Sequence, residues 1–236
     1  IVDSLVGSEM CIRDRSIIIP VRNEEDYLPT LLNNLHRKKS DNTEIIVVDG
    51  RSEDNTLKLI SHKKNKVIHS TPGRATQMNA GARCAQGNYL WFLHSDSMID
   101  FDFESVILAA LQKRKWGWFD IRLNNQEIIF RIVESMMNFR SRITYIATGD
   151  QGIFIHKDVF LKNGLFPSVA LMEDVSFSKK MKSIEKPFIC DVPIKTSTRR
   201  WEDNGPIRTI FKMWILRLLF FLGVPPNWLN KQYDKK

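Results

Sequence analysis

Cysteine is scarce in this chain. Only Cys11, Cys84 and Cys190 occur in 236 residues, widely spaced and odd in number. That fits reduced thiols in a cytoplasmic protein better than a disulfide framework. No Cys-x-x-Cys pair is present, which argues against a zinc site. Long uncharged apolar runs are missing as well, and crossing a bilayer takes about twenty such residues. The first fifteen residues, IVDSLVGSEMCIRDR, lack the apolar stretch of a signal peptide. We read residues 1–15 as a non-native extension and leave them out of the fold argument. A glycine-rich basic phosphate loop is absent too: the residues after the first apolar run are Arg22-Asn23-Glu24-Glu25-Asp26. That is the wrong charge for a nucleotidyltransferase, the nearest alternative among nucleotide-sugar enzymes. The formal charge of +8 and pI near 9.4 would suit a non-enzymatic nucleic-acid-binding protein. Yet the cations are scattered, and the acids gather where apolar runs end, where they would repel a phosphate backbone.

What is present is a repeating pattern. Ser16–Val21 (SIIIPV) and Glu44–Asp49 (EIIVVD) are short apolar, β-branched runs, each followed by a polar turn. Tyr27, Leu28, Leu31, Leu32 and Leu35 recur at helical spacing, and a second helical pattern runs through Leu57, Ile60 and Ser61. Lys66–His69 is a weaker strand, and Gly73–Cys84 a helix rich in small residues. Strands alternating with helices predict βαβ units and a parallel sheet. Continuously apolar strands predict a sheet covered on both faces. Right-handed crossovers then gather the polar strand ends on one rim, so Asn23, Asp49 and Asp96 should meet there. The hydrophobic content of 43% suffices for one sizeable core.

Leu90–Asp100 (LWFLHSDSMID) carries the strongest chemical signal. An apolar strand runs directly into His94-Ser95-Asp96, setting a carboxylate at the carboxyl edge of a sheet, where open α/β folds bind ligands. Such a group can hold a divalent cation against a diphosphate. Asp100 is a reserve carboxylate.

These segments, with GRATQMNAGARCAQGNYLWFLHSDS, ATGDQGIF, MEDVSF and TRRW in the same order, resemble glycosyltransferase family 2, the nucleotide-diphospho-sugar transferases of the GT-A fold. The likeness runs from Ser16 to about Pro226 and is nearest to a bacterial subgroup whose metal turn reads His-x-Asp. It implies an α/β fold with a mostly parallel central sheet flanked by helices. One catalytic domain over 16–226 is expected, with a nucleotide half (16–100), an acceptor half (101–203) and a helical tail (204–226). It implies inverting transfer of a sugar to a hydroxyl acceptor (a lipid, metabolite or glycan), assisted by Mn2+ or Mg2+.

The resemblance also implies roles. Pro20, Asn23, Glu24 and Asp49 would line the nucleotide pocket. Asn23 caps a helix equally well, and Asp49 could simply open a turn. Arg74, beside a helix start, would seat phosphate, with Asn79 near the nucleotide or merely packing. Asp96 would hold the metal, while His94 and Ser95 would contact the donor. Glu173-Asp174 resembles the family's acidic pair, in which the second residue, Asp174, acts as general base. Asp150, Gln151 and Glu173 would contact sugar or acceptor. Thr198-Arg199-Arg200-Trp201 is similar to the QxxRW motif of processive synthases, but Ser197 stands in the glutamine position, which argues against processivity. Arg200 would meet the leaving diphosphate and Trp201 an acceptor ring.

Residues Ile207–Val224 (IRTIFKMWILRLLFFLGV) are apolar but interrupted by Arg208, Lys212 and Arg217. Charges are costly at a bilayer midplane. The segment therefore reads as a helix lying in the membrane interface at the cytoplasmic face, or as a terminal helix packed on the body or in a dimer contact.

Overall fold

The computed structural model describes residues 14–60 and 64–234, with the side chains of residues 200, 203, 204 and 234 left aside. The expected extension at 1–15 lies almost wholly outside the described residues, as does Cys11. Its last residue, Arg15, opens the first strand and pairs with Thr43.

Eight strands form one sheet: β1 (Arg15–Val21), β2 (Thr43–Asp49), β3 (Lys66–His69), β4 (Tyr89–Phe92), β5 (Ser97–Met98), β6 (Trp116–Leu123), β7 (Phe154–His156) and β8 (Phe188–Thr196). Their order is β3-β2-β1-β4-β7-β6-β8-β5. The first four are mutually parallel; β7 then runs antiparallel to both β4 and β6, and β8 returns parallel to β6. The helices are α1 (Leu28–Lys38), α2 (Arg74–Cys84), α3 (Phe103–Leu111), α4 (Ile128–Thr144), α5 (Lys157–Lys162), α6 (Glu173–Ile184), α7 (Arg199–Asn204), α8 (Pro206–Phe221) and α9 (Pro226–Asp234).

The continuous apolar strands are buried on both faces, as that pattern requires. Ile17 and Ile19 pack with Leu31 and Leu35 of α1 on one side, while Ile18, Ile46 and Val48 meet Met78 and Ala82 of α2 on the other. Fully burying each such side chain contributes about 1.5–3 kcal/mol. Gly81 lets α2 lie this close, because a Cβ there would stand 2.5 Å from the Ile18 side chain. The helical pattern at Leu57–Ile60 shrinks to a single 3-10 turn, Thr56–Leu59. The sequence that follows, SHKKNK, offers no second apolar turn to bury; Ser61 lies outside the described residues. Cys84 and Cys190 are free thiols.

Parallel register lines up the strand ends: Val21 faces Asp49, and Asp49 faces His69. The loops leaving β1 and β2 are laced together there. The Asn23 amide donates to the Ser52 hydroxyl (3.0 Å), and Asn23 Oδ1 accepts from the Glu53 amide (2.8 Å). Glu24 donates to Thr56 Oγ1 (2.8 Å), and Glu25 Oε2 accepts twice from Asn55 (2.9 Å each). Gln77 of α2 adds a clamp by donating to the carbonyls of both Val21 and Val48 (2.8 Å each).

The final helices fold back onto the body. Leu216 of α8 and Leu229 of α9 join Ile146, Leu171, Met172 and Val175 in a separate apolar cluster. The opposite face of α8 stays exposed at Ile207, Phe211, Trp214, Ile215, Leu218, Phe221 and Leu222. Body packing thus accounts for one side of this helix and leaves the other side without a partner among the described residues. Among them, no helix is long and apolar enough to cross a membrane.

Candidate functional site

A cavity of about 1310 Å³ opens over the carboxyl ends of β1 and β4. Its size exceeds that of ordinary single-ligand pockets, which hold roughly 300–1,000 Å³, so it has room for two substrates. Of the residues singled out from the sequence, Pro20, Glu24, Arg74, His94, Ser95, Asp96, Asp150, Glu173, Asp174 and Trp201 line it. Asn23, Asp49, Asn79 and Gln151 do not. Asn23, with a left-handed φ of 56°, laces the two loops. Asp49 accepts the amides of Arg51 and Ser52 (3.1 Å each) and faces His69 Nδ1 at 3.4 Å. Burial opposes its charge, but the Ser52 and His69 hydrogen bonds hold its carboxyl below the usual range. Asn79 holds the Phe166 backbone from both sides, donating at 2.8 Å and accepting at 3.0 Å. Gln151 is buried and accepts from the Thr148 amide and the Ser141 hydroxyl (2.9 Å each). The Arg200 side chain lies outside the described residues; its neighbour Arg199 lines the cavity and stacks over Tyr27 at 4.5 Å.

Negative charge concentrates at the centre. Burial first, and then the nearby Asp150 carboxylate, raise the pKa of Asp96. Burial likewise raises Glu173, with the charge of adjacent Asp174 adding to it. His94 is buried against its own charge, but Asp150 at 3.0 Å from Nδ1 prevails and its pKa rises. Gly149 makes this pairing possible: a Cβ there would sit 2.5 Å from the His94 ring. The Gly149 amide also donates to Asp174 Oδ2 at 2.8 Å, linking the His94–Asp150 pair to the start of α6. Met172, immediately before this acidic pair, is held at a left-handed φ of 65° although it is neither glycine nor asparagine. Such strain persists only where surroundings enforce it, and it clusters at functional sites. Arg74 stands 3.7 Å from Glu173, and the surrounding carboxylates raise its pKa despite desolvation.

The raised Glu173 pKa has a stability consequence. A carboxyl group that binds its proton more tightly folded than unfolded weakens the fold once ionised, so stability rises as pH falls through its folded pKa. Glu173→Gln is therefore expected to raise the melting temperature of the ligand-free protein at neutral pH, with the gain shrinking on acidification. Thermal unfolding at several pH values checks this; a lower melting temperature at neutral pH would refute it.

Among the described residues no group of three or more His, Cys, Asp or Glu is arranged to cage a metal. Mg2+-type sites that act on phosphates need less, commonly one or two carboxylates completed by substrate oxygens and water. Asp96 fits that requirement, because burial and Asp150 leave its charge poorly compensated. A cation bound there would supply charge neutralisation to a diphosphate.

The far wall of the cavity is basic. Arg140 of α4 and Arg208, Lys212 and Arg217 of α8 line it. No motif marks them; only the long-range docking of α8 beside α4 brings them to the site.

The strand ends thus bring an acidic turn, an arginine-flanked helix and an acidic pair together over one large cavity. The family model of glycosyl transferase family 2 matches residues 16–165, and the chain belongs to that family of sugar-transferring enzymes. It is 31% identical over 186 residues to the poly(ribitol-phosphate) β-N-acetylglucosaminyltransferase TarS of Staphylococcus aureus, a match covering 72% of this chain and 30% of TarS. A glycosyltransferase of Haemophilus influenzae is 33% identical over 179 residues, covering 70% of this chain and 61% of that protein. The chain thus spans under a third of TarS. The crystal structure of TarS 1–349 with UDP-GlcNAc superposes with a TM-score of 0.64 at 21% identity, over 78% of this chain and 58% of that one. A mannosyltransferase from Pyrobaculum calidifontis with GDP-Man and Mn2+ gives 0.59 at 17% identity, over 78% and 56%. The expected GT-A architecture is the one found.

Proposed function

We propose that the chain transfers a sugar from a nucleoside-diphosphate sugar to a hydroxyl acceptor with inversion at the anomeric carbon. The observation that carries this reading is the meeting of Glu24, Arg74, Asp96, Asp150 and Asp174, from five separate segments, on one cavity. The acceptor O–H gives its proton to Asp174 as its oxygen bonds to the anomeric carbon, and the bond from that carbon to the diphosphate breaks with its electron pair. Asp96 would hold Mn2+ or Mg2+ against the departing diphosphate, and Arg74 and Arg199 add fixed positive charge nearby. His94, Ser95, Pro20 and Glu24 contact the donor, while Asp150, Glu173 and Trp201 face sugar or acceptor. Asn23, Asp49, Asn79 and Gln151 would act by holding the loops and walls of the pocket. The names of TarS and of its UDP-GlcNAc complex support the donor class. The exposed face of α8 supports peripheral contact with a membrane.

A screen of nucleotide sugars with manganese or magnesium tests the reading. Release of nucleoside diphosphate from at least one of them, abolished by chelation, is expected. No release from any uridine or guanosine diphosphate sugar would overturn it.

A further inference from the structure

The exposed face of α8 has a companion that no motif announces. On α4, Ile128, Ile132, Met136, Phe139 and Ile143 follow helical spacing, yet all five point outward. The inner side of the same helix already buries Phe130 and Val133 against Ile121 and Leu123. Helix α8 repeats the arrangement, apolar on its buried side (Leu216) and again on its exposed side, where Leu218 is 60% accessible. A helix that faces water on its outer side carries mostly polar residues there; the outer faces of these two are mostly apolar, interrupted by Ser135 on α4 and Arg208 on α8. Val133 and Met137 of α4 share a cluster with Ile210 of α8, so the two outward stripes belong to neighbouring helices.

Both stripes reach the cavity. Met136, Phe139 and Trp214 are exposed and also line it. Behind them, Arg140 and Arg217 each carry a guanidinium Nε shut off from solvent with no hydrogen-bond partner. Burial lowers the Arg140 pKa, opposed in part by Asp174 and Asp150. No acidic residue occurs anywhere in α8. Two exposed tryptophans, Trp214 and Trp228, suit the boundary between head groups and acyl chains.

We propose that α4 and α8 together form an apolar rim that seats the cavity mouth on an anionic bilayer. The acceptor is then an anionic lipid, whose charged head group is met by Arg140 and Arg217. This rests on the transferase reading above and names its acceptor class. The occupant is argued from charge complementarity: cations flank the apolar stripes and line the opening, and apolar burial plus attraction to anionic lipid is how interfacial helices bind.

Flotation of the full chain with vesicles decides it, using phosphatidylcholine alone or mixed with phosphatidylglycerol, whose head group carries both charge and hydroxyls. The native chain should float with the mixed vesicles about tenfold more than with phosphatidylcholine alone. Ile132→Glu/Ile143→Glu on α4 and Phe211→Glu/Leu218→Glu on α8, none of which lines the cavity, should each abolish flotation and leave nucleotide-sugar hydrolysis in vesicle-free solution unchanged. Arg140→Gln/Arg217→Gln should still float but lose the preference for the anionic vesicles. A native chain that stays at the bottom overturns the proposal, as does an α4 variant that floats normally. So does a native dimer in sedimentation that the same glutamates turn into monomer. Absent hydrolysis with flotation as described would overturn the donor reading and keep the docking rim.

Discussion

An Asp174→Asn enzyme is expected to bind nucleotide sugar as the native one does and to transfer it about 10²–10⁴-fold more slowly, the span that general base catalysis supplies. Asparagine keeps the shape and one acceptor oxygen; turned toward the Gly149 amide that donates to Oδ2, it preserves the turn before β7 and gives up the bond that Oδ1 accepts from the Val175 amide. What is lost for the chemistry is the capacity to take a proton. The effect should fall on kcat with little change in KM, because the group acts on the reacting bond more than on ground-state binding. The same change removes the charge that helps raise the Glu173 pKa, so slower turnover should be joined by a more stable fold at neutral pH. A variant with native kcat would remove Asp174 from the mechanism.

Asp96→Ala should be as damaging by a different route. With this carboxylate gone, the cavity loses the acidic side chain that follows β4 and whose charge burial and Asp150 disfavour. Turnover is expected to fall by at least about 10²-fold, the usual scale for losing one preorganised electrostatic element. Nucleotide affinity measured with manganese should drop to its metal-free level. The two variants separate cleanly: Asp174→Asn retains manganese-dependent binding, whereas Asp96→Ala loses it. Undiminished manganese dependence in Asp96→Ala would refute the assignment.

The first, parallel part of the sheet is legible in the sequence because its signals are local. Strands β1, β2 and β4 are short apolar runs that end in polar turns, and burial on both faces leaves such runs few alternatives. The acidic turn at Asp96 and the pair at Glu173-Asp174 could be placed for the same reason, each lying at the boundary of an element. Function within a helix is harder to read. Asn79 has the polarity of a ligand contact, but its amide is spent on Phe166, 87 residues away, and nothing near it in sequence reveals that partner. No motif marks Arg140 and Arg217 as cavity residues, because their places depend on how α4 and α8 dock. The stripe on α4 has the spacing of a core-facing helix, and only the fold reveals that it faces out.

The lacing of the loops after β1 and β2 has a bearing on how donor preference can change. Asn23, Glu24, Glu25, Ser52, Asn55 and Thr56 satisfy one another across the gap, and Gln77 ties the strands beneath them. Residues sharing one hydrogen-bond network do not respond independently to substitution. On the proposed reading, in which Pro20 and Glu24 contact the donor, a switch from one nucleobase to another would therefore have to be made by coordinated replacements on both segments, and single exchanges there should mostly report collapse of the shared scaffold.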